Sequence, residues 1–344
     1  MKLIDQVKHR LRAMHYSYRT EQSYVRWLVR FIRFHKLQHP INMGGAEIEE
    51  FLTDLAVRGR VSATTQNQAL SAIVFMYKHV LNRDPGQFNA VRAKRPQRLP
   101  VVLSRKEVRA ILAGMRGVYR LMAEVMYGGG LRMQGCCQLR MQDVDLERGQ
   151  LIVRQGKGQK DRATILPAAC IETMDQQLTW RRTIHEQDLA DGEGRVQLPY
   201  AIERKYPKAA RSLGWQFVFA SQKLSRDPRT GRRGRHYVHP SSVQRAIKRA
   251  VRAAGVVKRV TSHAFRHSFA THLLEGGYDI RTIQKLLGHK DVRTTMIYTH
   301  VVAEGAKGVL GVKSPLDTIE GEFPGRNARD TLPTGRIIDP PSCT

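Results

Sequence analysis

Acidic residues are scarce in this chain. Its 344 residues include 30 aspartates and glutamates against 58 lysines and arginines, a formal net charge of +28. A folded protein with such an excess repels itself unless an anionic partner offsets it. The basic residues run through both halves of the chain, which disfavours the alternative of one solvated basic tail. The charge balance therefore favours nucleic acid as the partner, ahead of a membrane surface.

Other features are missing as well. No stretch approaches the ~18–20 consecutive apolar residues that span a bilayer, and the opening MKLIDQVKHRL lacks the apolar centre of a signal peptide. The four cysteines have no metal-ligand spacing, and the adjacent pair at 136 and 137 is a poor disulfide framework. No carboxylate cluster suited to Mg²⁺ is visible. We therefore expect a reduced, cytoplasmic protein with no membrane attachment, no metal and no cofactor.

The first part of the chain, residues 1–85, has the pattern of a small helical bundle. Within TEQSYVRWLVRFIRFHK, apolar residues recur at helical spacing: Tyr24, Trp27, Leu28, Phe31 and Ile32. Arg26, Arg30 and Arg33 share another face of that helix. Such a face is often merely solvated, but with this net charge we favour contact with DNA phosphates. Further helices are expected over Ala46–Val57 and Ser62–Leu81.

A basic linker without apolar periodicity is expected over residues 86–103. The capping box of Ser104 and Glu107 then opens a second domain over residues 104–316. This domain is mixed: two short strands flank a Gly-Lys-Gly turn, and helices are expected in HPSSVQRAIKRAVRAAG and DIRTIQKLLGH. Residues 317–344 are rich in proline, glycine and polar residues, and we expect them to be disordered. The fold class predicted is mainly α with a small β-sheet.

Five short features of the second domain stand in a suggestive order. They are GGGLR ending at Arg132, the turn containing Lys157, His263 with Arg266 three residues later, the Leu-Gly-His run ending at His289, and Tyr298 nine residues further on. Each feature alone is weak, since a helical tyrosine is more often a core residue than a nucleophile. Their order and spacing carry the signal.

The segment TSHAFRHSFATHLLEGGYDIRTIQKLLGHKDVRTTMIYTH resembles the catalytic signature of the tyrosine recombinases, the phage integrase family. The resemblance runs from YSYRTEQSYVRWLVRFIRFH to about residue 316. In addition, LPYAIERKYPKAARSLGWQFVFAS, residues 198–221, resembles the extra segment of integron integrases, which places an insertion at about 190–221. The resemblance implies an N-terminal SAM-like core-binding domain that clamps DNA, followed by an α+β catalytic domain.

The resemblance also implies roles for the residues. Tyr298 would attack a DNA phosphate to form a 3′-phosphotyrosine, without ATP or a metal. Arg132 and Arg266 would grip the non-bridging oxygens, which a guanidinium can do bidentately. His263 would assist as base, His289 would hydrogen-bond the phosphate, and Lys157 would protonate the leaving 5′-oxygen. Lys160 is the alternative to Lys157, whereas His267, His272 and His300 are expected to have structural roles.

One position departs from the family pattern. Most members have a glutamate three residues after the first arginine, where it helps to hold that arginine; here the position is Gly135. Glycine inside a helix also costs about 1 kcal/mol relative to alanine. We therefore expect Arg132 to be less firmly held and the activity to be reduced.

An integron integrase would recombine a duplex attachment site with a cassette site folded from single-stranded DNA, within a homo-tetramer on bacterial DNA. Segment 301–310 would dock on a neighbouring protomer. Extruded bases can stack on aromatic faces, and Trp215, His236 and Tyr237 are the candidates. Alternatively, Trp215 with Phe217 and Phe219 anchors a strand, and the many relatives with histidine in place of Tyr237 leave that residue's role open.

Two other functions stay open from the sequence. The chain could be a different tyrosine recombinase, of the phage or dimer-resolving type, which the insertion disfavours. It could also be a catalytically weakened relative that only binds DNA, which Gly135 favours and the retained set of six catalytic residues disfavours.

Overall fold

The computed structural model describes residues 2–86, 99–154, 161–198 and 200–303, without the side chains of 200, 201 and 300–303. The expectations for most of the linker, for Lys157 and Lys160, for the segment beyond 303 and for the tail fall outside these residues. The chain divides into two compact units, Met1–Arg98 with Pro228–Thr230 and Leu99–Asp227 with Gly231–Thr344.

The first unit is a bundle of four helices. They are α1 (Leu3–Ala13), α2 (Tyr18–Phe34), α3 (Gly45–Val57) and α4 (Ala63–His79). The side chains of Ser17 and Ser62 cap α2 and α4 by accepting backbone N–H bonds. Leu28 and Phe31 of α2 are fully buried in the core of this bundle. The helical bundle predicted for this part of the chain is confirmed.

The second unit contains nine helices and two small sheets among its described residues. The helices are α5 (Arg105–Ala113), α6 (Gly117–Gly128), α7 (Met133–Cys137), α8 (Ile171–Ala190), α9 (Tyr200–Lys205), α10 (Pro240–Ala253), α11 (Ser262–Glu275), α12 (Ile280–Leu287) and α13 (Arg293–Ala303). The first sheet is antiparallel in the order β1 (Val144–Asp145), β2 (Gln150–Val153), β3 (Arg162–Ile165), with Val153 opposite Arg162. The second pairs β4 (Ser225–Arg226) with β5 (Arg233–Gly234). A mainly α chain with small sheets is thus confirmed.

Local sequence explains several of these elements. Ser104 and Glu107 form the capping box that starts α5, and Asp279 caps α12. Helix α12 ends at Gly288, whose φ of +65° lies in the left-handed region that favours glycine. Helix α10 buries Val243, Ile247, Ala250 and Val251 as its pattern predicts. These caps and stripes explain the start of α5, both ends of α12 and the buried face of α10.

Helix α8 had no counterpart in the sequence prediction. Its buried positions include the polar side chains Arg181, His185 and Asp188. Arg235 donates two hydrogen bonds of 2.6 Å to the Asp188 carboxylate, and the Arg211 carbonyl lies 2.9 Å from His185 Nε2. Because polar pairs replace apolar residues on its inner face, the helix lacks the apolar periodicity by which a buried helix is recognised.

Candidate active site

Arg266 is the most deeply buried cation of the site. It lies on α11 with 3% of its surface exposed. Its Nη1 donates to the Gly130 carbonyl at 2.5 Å and its Nη2 to the Leu287 carbonyl at 2.6 Å. The two bonds join the turn before Arg132 to the end of α12. Arg266 is therefore held rigidly, and it fixes the relative positions of two of the sequence features.

The glycine turn before Arg132 is shaped by close packing. Gly130 has a φ of +62°, and a Cβ there would lie 2.5 Å from the ring of Phe269. Arg132 follows as the half-buried N-cap residue of α7. No hydrogen bond or ion pair joins its side chain to another described residue. Its guanidinium is thus placed beside the site by backbone geometry and not by a carboxylate.

His289 supports Arg266 in this structure. Its Nε2 lies 3.2 Å from Arg266 Nη2, and its Nδ1 lies 2.9 Å from the hydroxyl of the fully buried Thr295. An arginine can only donate, so Nε2 accepts and Nδ1 carries the proton of the neutral ring. Burial and the charge of Arg266 lower the pKa of His289 to about 4, which agrees with a neutral ring. The expected hydrogen bond from His289 to a phosphate stays a prediction.

Tyr298 is buried, with 2% of its surface exposed. It lies on α13, and its hydroxyl is 3.0 Å from His267 Nδ1 on α11. Burial raises the pKa of the Tyr298 phenol, while the charges of Arg266 and Arg132 lower it. The structure therefore places Tyr298 beside both arginines but keeps it protonated.

The histidine that contacts Tyr298 in this structure is His267, and the role of His263 as base stays a prediction. Sequence reasoning gave His267 a structural role and made His263 the base. Among the described residues, no hydrogen bond joins His263 to Tyr298, and the rings of His263 and His267 are 6.3 Å apart. Burial and the neighbouring His263 and Arg266 lower the pKa of His267 to about 4. The adjacent pair Arg266 and His267 was the available signal, because it places a second histidine directly after the active-site arginine.

A further arginine was also missed by the sequence reasoning. Arg162, the first residue of β3, is close enough for its charge to lower the pKa of both Arg266 and His289. None of the ion pairs among the described residues involves Arg132, Arg162 or Arg266. Among the described residues, the site is thus a concentration of positive charge without a paired carboxylate, which suits an anionic substrate.

The surroundings of three further residues bear on the site: His272, Gly135 and Asp143. His272 is bonded to the Tyr127 hydroxyl at 2.8 Å, in keeping with a structural role. Gly135 lies within α7, and a Cβ there would lie 3.4 Å from Val153 Cγ1, an ordinary contact. Asp143 is buried and accepts from Arg154 at 2.5 Å. The described residues contain no group of three metal-ligating side chains, and no described helix is long and apolar enough to cross a membrane.

The candidate DNA-binding arginines of the first unit lie on one face of α2. Arg26, Arg30 and Arg33 are all exposed, and no ion pair joins them to other described residues. The guanidinium of Arg30 lies 5.5 Å from the centroid of the Trp27 ring. The face is therefore exposed, basic and unpaired, as contact with phosphates requires.

The candidate base-stacking residues lie near one another in the second unit. Trp215 and Tyr237 pack against a small core of Val196, Leu198, Ala210 and Phe217. The Arg140 guanidinium lies 5.3 Å from the Trp215 ring and 4.3 Å from the Phe217 ring. The Tyr237 hydroxyl accepts from Gln134 at 3.0 Å, and the rings of His236 and Tyr237 are 6.3 Å apart. These contacts occupy part of each aromatic surface.

Comparison with known proteins places the chain in a family. Residues 101–304 match the phage integrase family, and residues 3–87 match the N-terminal SAM-like domain of phage integrases. An integrase/recombinase of Escherichia coli is 48% identical over 320 residues, which cover 93% of this chain and 94% of the relative. The tyrosine recombinase XerD of Caulobacter vibrioides is 33% identical over 302 residues, 82% of this chain and 86% of the relative.

A solved structure supports the fold. A lambda integrase dimer bound to a core site covers 86% of this chain and 93% of its own, with a TM-score of 0.57 at 19% identity. Because the family model covers more than half of the chain and the relatives are 33–48% identical, the protein is an enzyme of the tyrosine-type site-specific DNA recombinase class. It belongs to the phage integrase family.

Proposed function

We propose that this enzyme cleaves and rejoins DNA through Tyr298. The observation that carries the proposal is the buried phenol of Tyr298, hydrogen-bonded to His267 and adjacent to the charges of Arg132 and Arg266. A phosphodiester is anionic, and its transition state concentrates more charge on the non-bridging oxygens. Two guanidiniums without carboxylate partners offer that charge a preorganised environment.

In the proposed reaction, the Tyr298 oxygen bonds to phosphorus and the bond from phosphorus to the 5′-oxygen breaks. The phenol proton passes to a histidine, and Lys157 gives a proton to the departing oxygen. His267 is the nearest acceptor in this structure, although family resemblance favours His263. A bound phosphate would raise the pKa of His267, because its negative charge opposes those of the arginines. The phosphotyrosine keeps the ester bond energy, so rejoining requires no ATP.

For the substrate, we propose the integron type: a duplex attachment site and a cassette site folded from single-stranded DNA. The supporting feature is the insertion at about 190–221, which has its own small core around Phe217. Trp215 and Tyr237 pack against this core, and the His236 ring lies 6.3 Å from that of Tyr237. These three are the proposed contacts for extruded bases, each worth about 1–3 kcal/mol of stacking.

We also propose that residues 1–85, through Arg26, Arg30 and Arg33, clamp the DNA that residues 104–316 cleave. Four protomers would assemble on two DNA partners. Most of the affinity would come from phosphate contacts, and binding should weaken steeply as salt rises.

Nicked suicide substrates test the substrate proposal. The same core sequence is offered as a linear duplex and as a folded single strand with extruded bases, and covalent protein–DNA adducts are quantified for the wild type and for Tyr298→Phe. We expect adducts with both forms, a strong preference for the folded cassette site, and none with the phenylalanine variant. Equal or better reaction of linear duplex cassette sites would instead indicate a phage-type or dimer-resolving recombinase.

A second candidate function is site-specific DNA binding without efficient cleavage. Gly135 favours it, because no glutamate at that position holds Arg132. Tight, salt-sensitive binding without any adduct on either suicide substrate would support this alternative.

A further inference from the structure

The side chain of Arg162 extends from strand β3 to Gly288, the residue that precedes His289. It is the first residue of β3, where it lies opposite Val153. Its side chain packs directly on Gly288: a Cβ at this glycine would overlap Arg162 Cδ and lie 2.7 Å from Nε. Gly288 therefore has two roles. It permits the left-handed backbone, and its lack of a Cβ leaves room for the Arg162 side chain.

The Arg162 guanidinium lacks a counter-charge within the described residues. Its Nη1 is enclosed and has no hydrogen-bond partner, whereas the residue as a whole stays partly exposed. Burying an unpaired cation is costly. Two other arginines of this unit have a carboxylate partner: Arg235 lies 2.6 Å from Asp188, and Arg154 lies 2.5 Å from Asp143. The counter-charge of Arg162 is thus expected from outside the part of the chain that the structure describes.

The surroundings of Arg162 point to the chemistry of that counter-charge. Burial, with the nearby charge of Arg132, lowers the pKa of Arg162 to about 10. Arg162 and Arg132 in turn both lower the pKa of Arg266. Three guanidiniums that repel one another across one site are stabilised together by an oxyanion with several acceptor oxygens.

We propose that Arg162 is a third phosphate-binding arginine of this site, one that contacts the phosphate at which Tyr298 attacks, through the accessible part of its guanidinium. The proposal rests on the proposed cleavage through Tyr298. It makes Arg162 a catalytic residue, because its charge acts on the reacting phosphate, and it explains why this cation is kept without a carboxylate.

The test compares Arg162→Met with Arg148→Met. Arg148 is an exposed arginine of the same sheet region whose backbone N–H is bonded to Asp145. Adduct formation is timed on natural suicide DNA and on DNA in which a methyl group replaces one non-bridging oxygen of the scissile phosphate. With natural DNA, Arg162→Met should slow the reaction by about 10²-fold or more, and Arg148→Met should leave it unchanged.

The methylated substrate separates the two roles that Arg162 could have. Its phosphate carries no charge, so the defect of Arg162→Met should shrink on it. An equal defect on both substrates, together with a lowered melting temperature, would show a structural role and overturn the proposal. The rate of adduct formation by Arg162→Lys should be intermediate, because lysine keeps the positive charge but lacks the paired N–H donors of a guanidinium.

A second measurement does not depend on cleavage. Inorganic phosphate should raise the melting temperature of the wild type and of Arg148→Met, and this rise should be lost in Arg162→Met. If the wild type forms no adduct, but phosphate raises its melting temperature and not that of Arg162→Met, the proposed cleavage is refuted and the anion site is supported. If phosphate stabilises all three proteins equally, the anion site fails.

Discussion

Gly288→Ala is the substitution whose outcome the structure specifies most closely. Gly288 has a φ of +65° and ends α12, one residue before His289. Alanine at this position would be strained by the left-handed backbone, and its Cβ would overlap the Arg162 side chain. The substitution should therefore both destabilise the catalytic unit and displace two groups of the active site.

The size of the effect follows from these two contributions. A left-handed backbone costs a non-glycine residue about 1–2 kcal/mol, and overpacking adds about 1–3 kcal/mol. Together they lower the free energy of unfolding by about 2–5 kcal/mol. Gly255 provides a matched control: it also follows a helix and has a φ of +64°, but nothing lies within 4 Å of its Cβ position. Gly255→Ala should therefore show only the cost of the left-handed backbone.

Urea unfolding of the full chain measures the difference, since both glycines belong to the same unit. The excess cost of Gly288→Ala should disappear when Arg162 is also alanine, as a double-mutant cycle would show. Adduct formation should be slowed by Gly288→Ala and unaffected by Gly255→Ala. Equal destabilisation by the two alanines, or no coupling to Arg162, would refute the packing of Arg162 on this turn.

Three further predictions concern the neighbouring groups. Thr295→Val should lower the free energy of unfolding by about 1–3 kcal/mol and slow adduct formation, because His289 Nδ1 loses its buried partner; Thr299→Val on the same helix should change neither. Gly135→Glu should raise recombination frequency in a cassette assay, and an unchanged frequency would mean that another group supports Arg132. Because the pKa of His267 is about 4 in the folded protein against about 6.5 in the unfolded chain, the unfolded chain binds more protons between these values. Thermal stability should therefore fall as pH drops from 6.5 towards 4, and His267→Gln should flatten that fall.

Much of the fold could be predicted from local patterns. The stripe of α2 around Leu28 and the capping box at Ser104 follow from residue spacing, and the structure places helices at both. Helix α8 escaped prediction because its inner face carries Arg181, His185 and Asp188 in place of apolar residues. Periodicity detects apolar burial, and it does not detect burial achieved by pairing charges.

The candidate site was harder to predict than the fold. Order and spacing brought out Arg132, Arg266, His289 and Tyr298, and the structure places these four together. The contact of His267 with Tyr298 depends on how α11 packs against α13, and the place of Arg162 depends on the approach of β3 to Gly288. Such contacts join residues distant in sequence, so no single stretch of the chain reveals them.

The most direct test of the central claim identifies the residue that becomes attached to DNA. Adducts formed on a suicide substrate are digested with protease and nuclease, and the peptide that retains a nucleotide is sequenced by mass spectrometry. We expect a 3′-phosphotyrosine at Tyr298, although only 2% of the surface of this residue is exposed. Attachment at another tyrosine, such as Tyr278 with its 57% exposure, would contradict it.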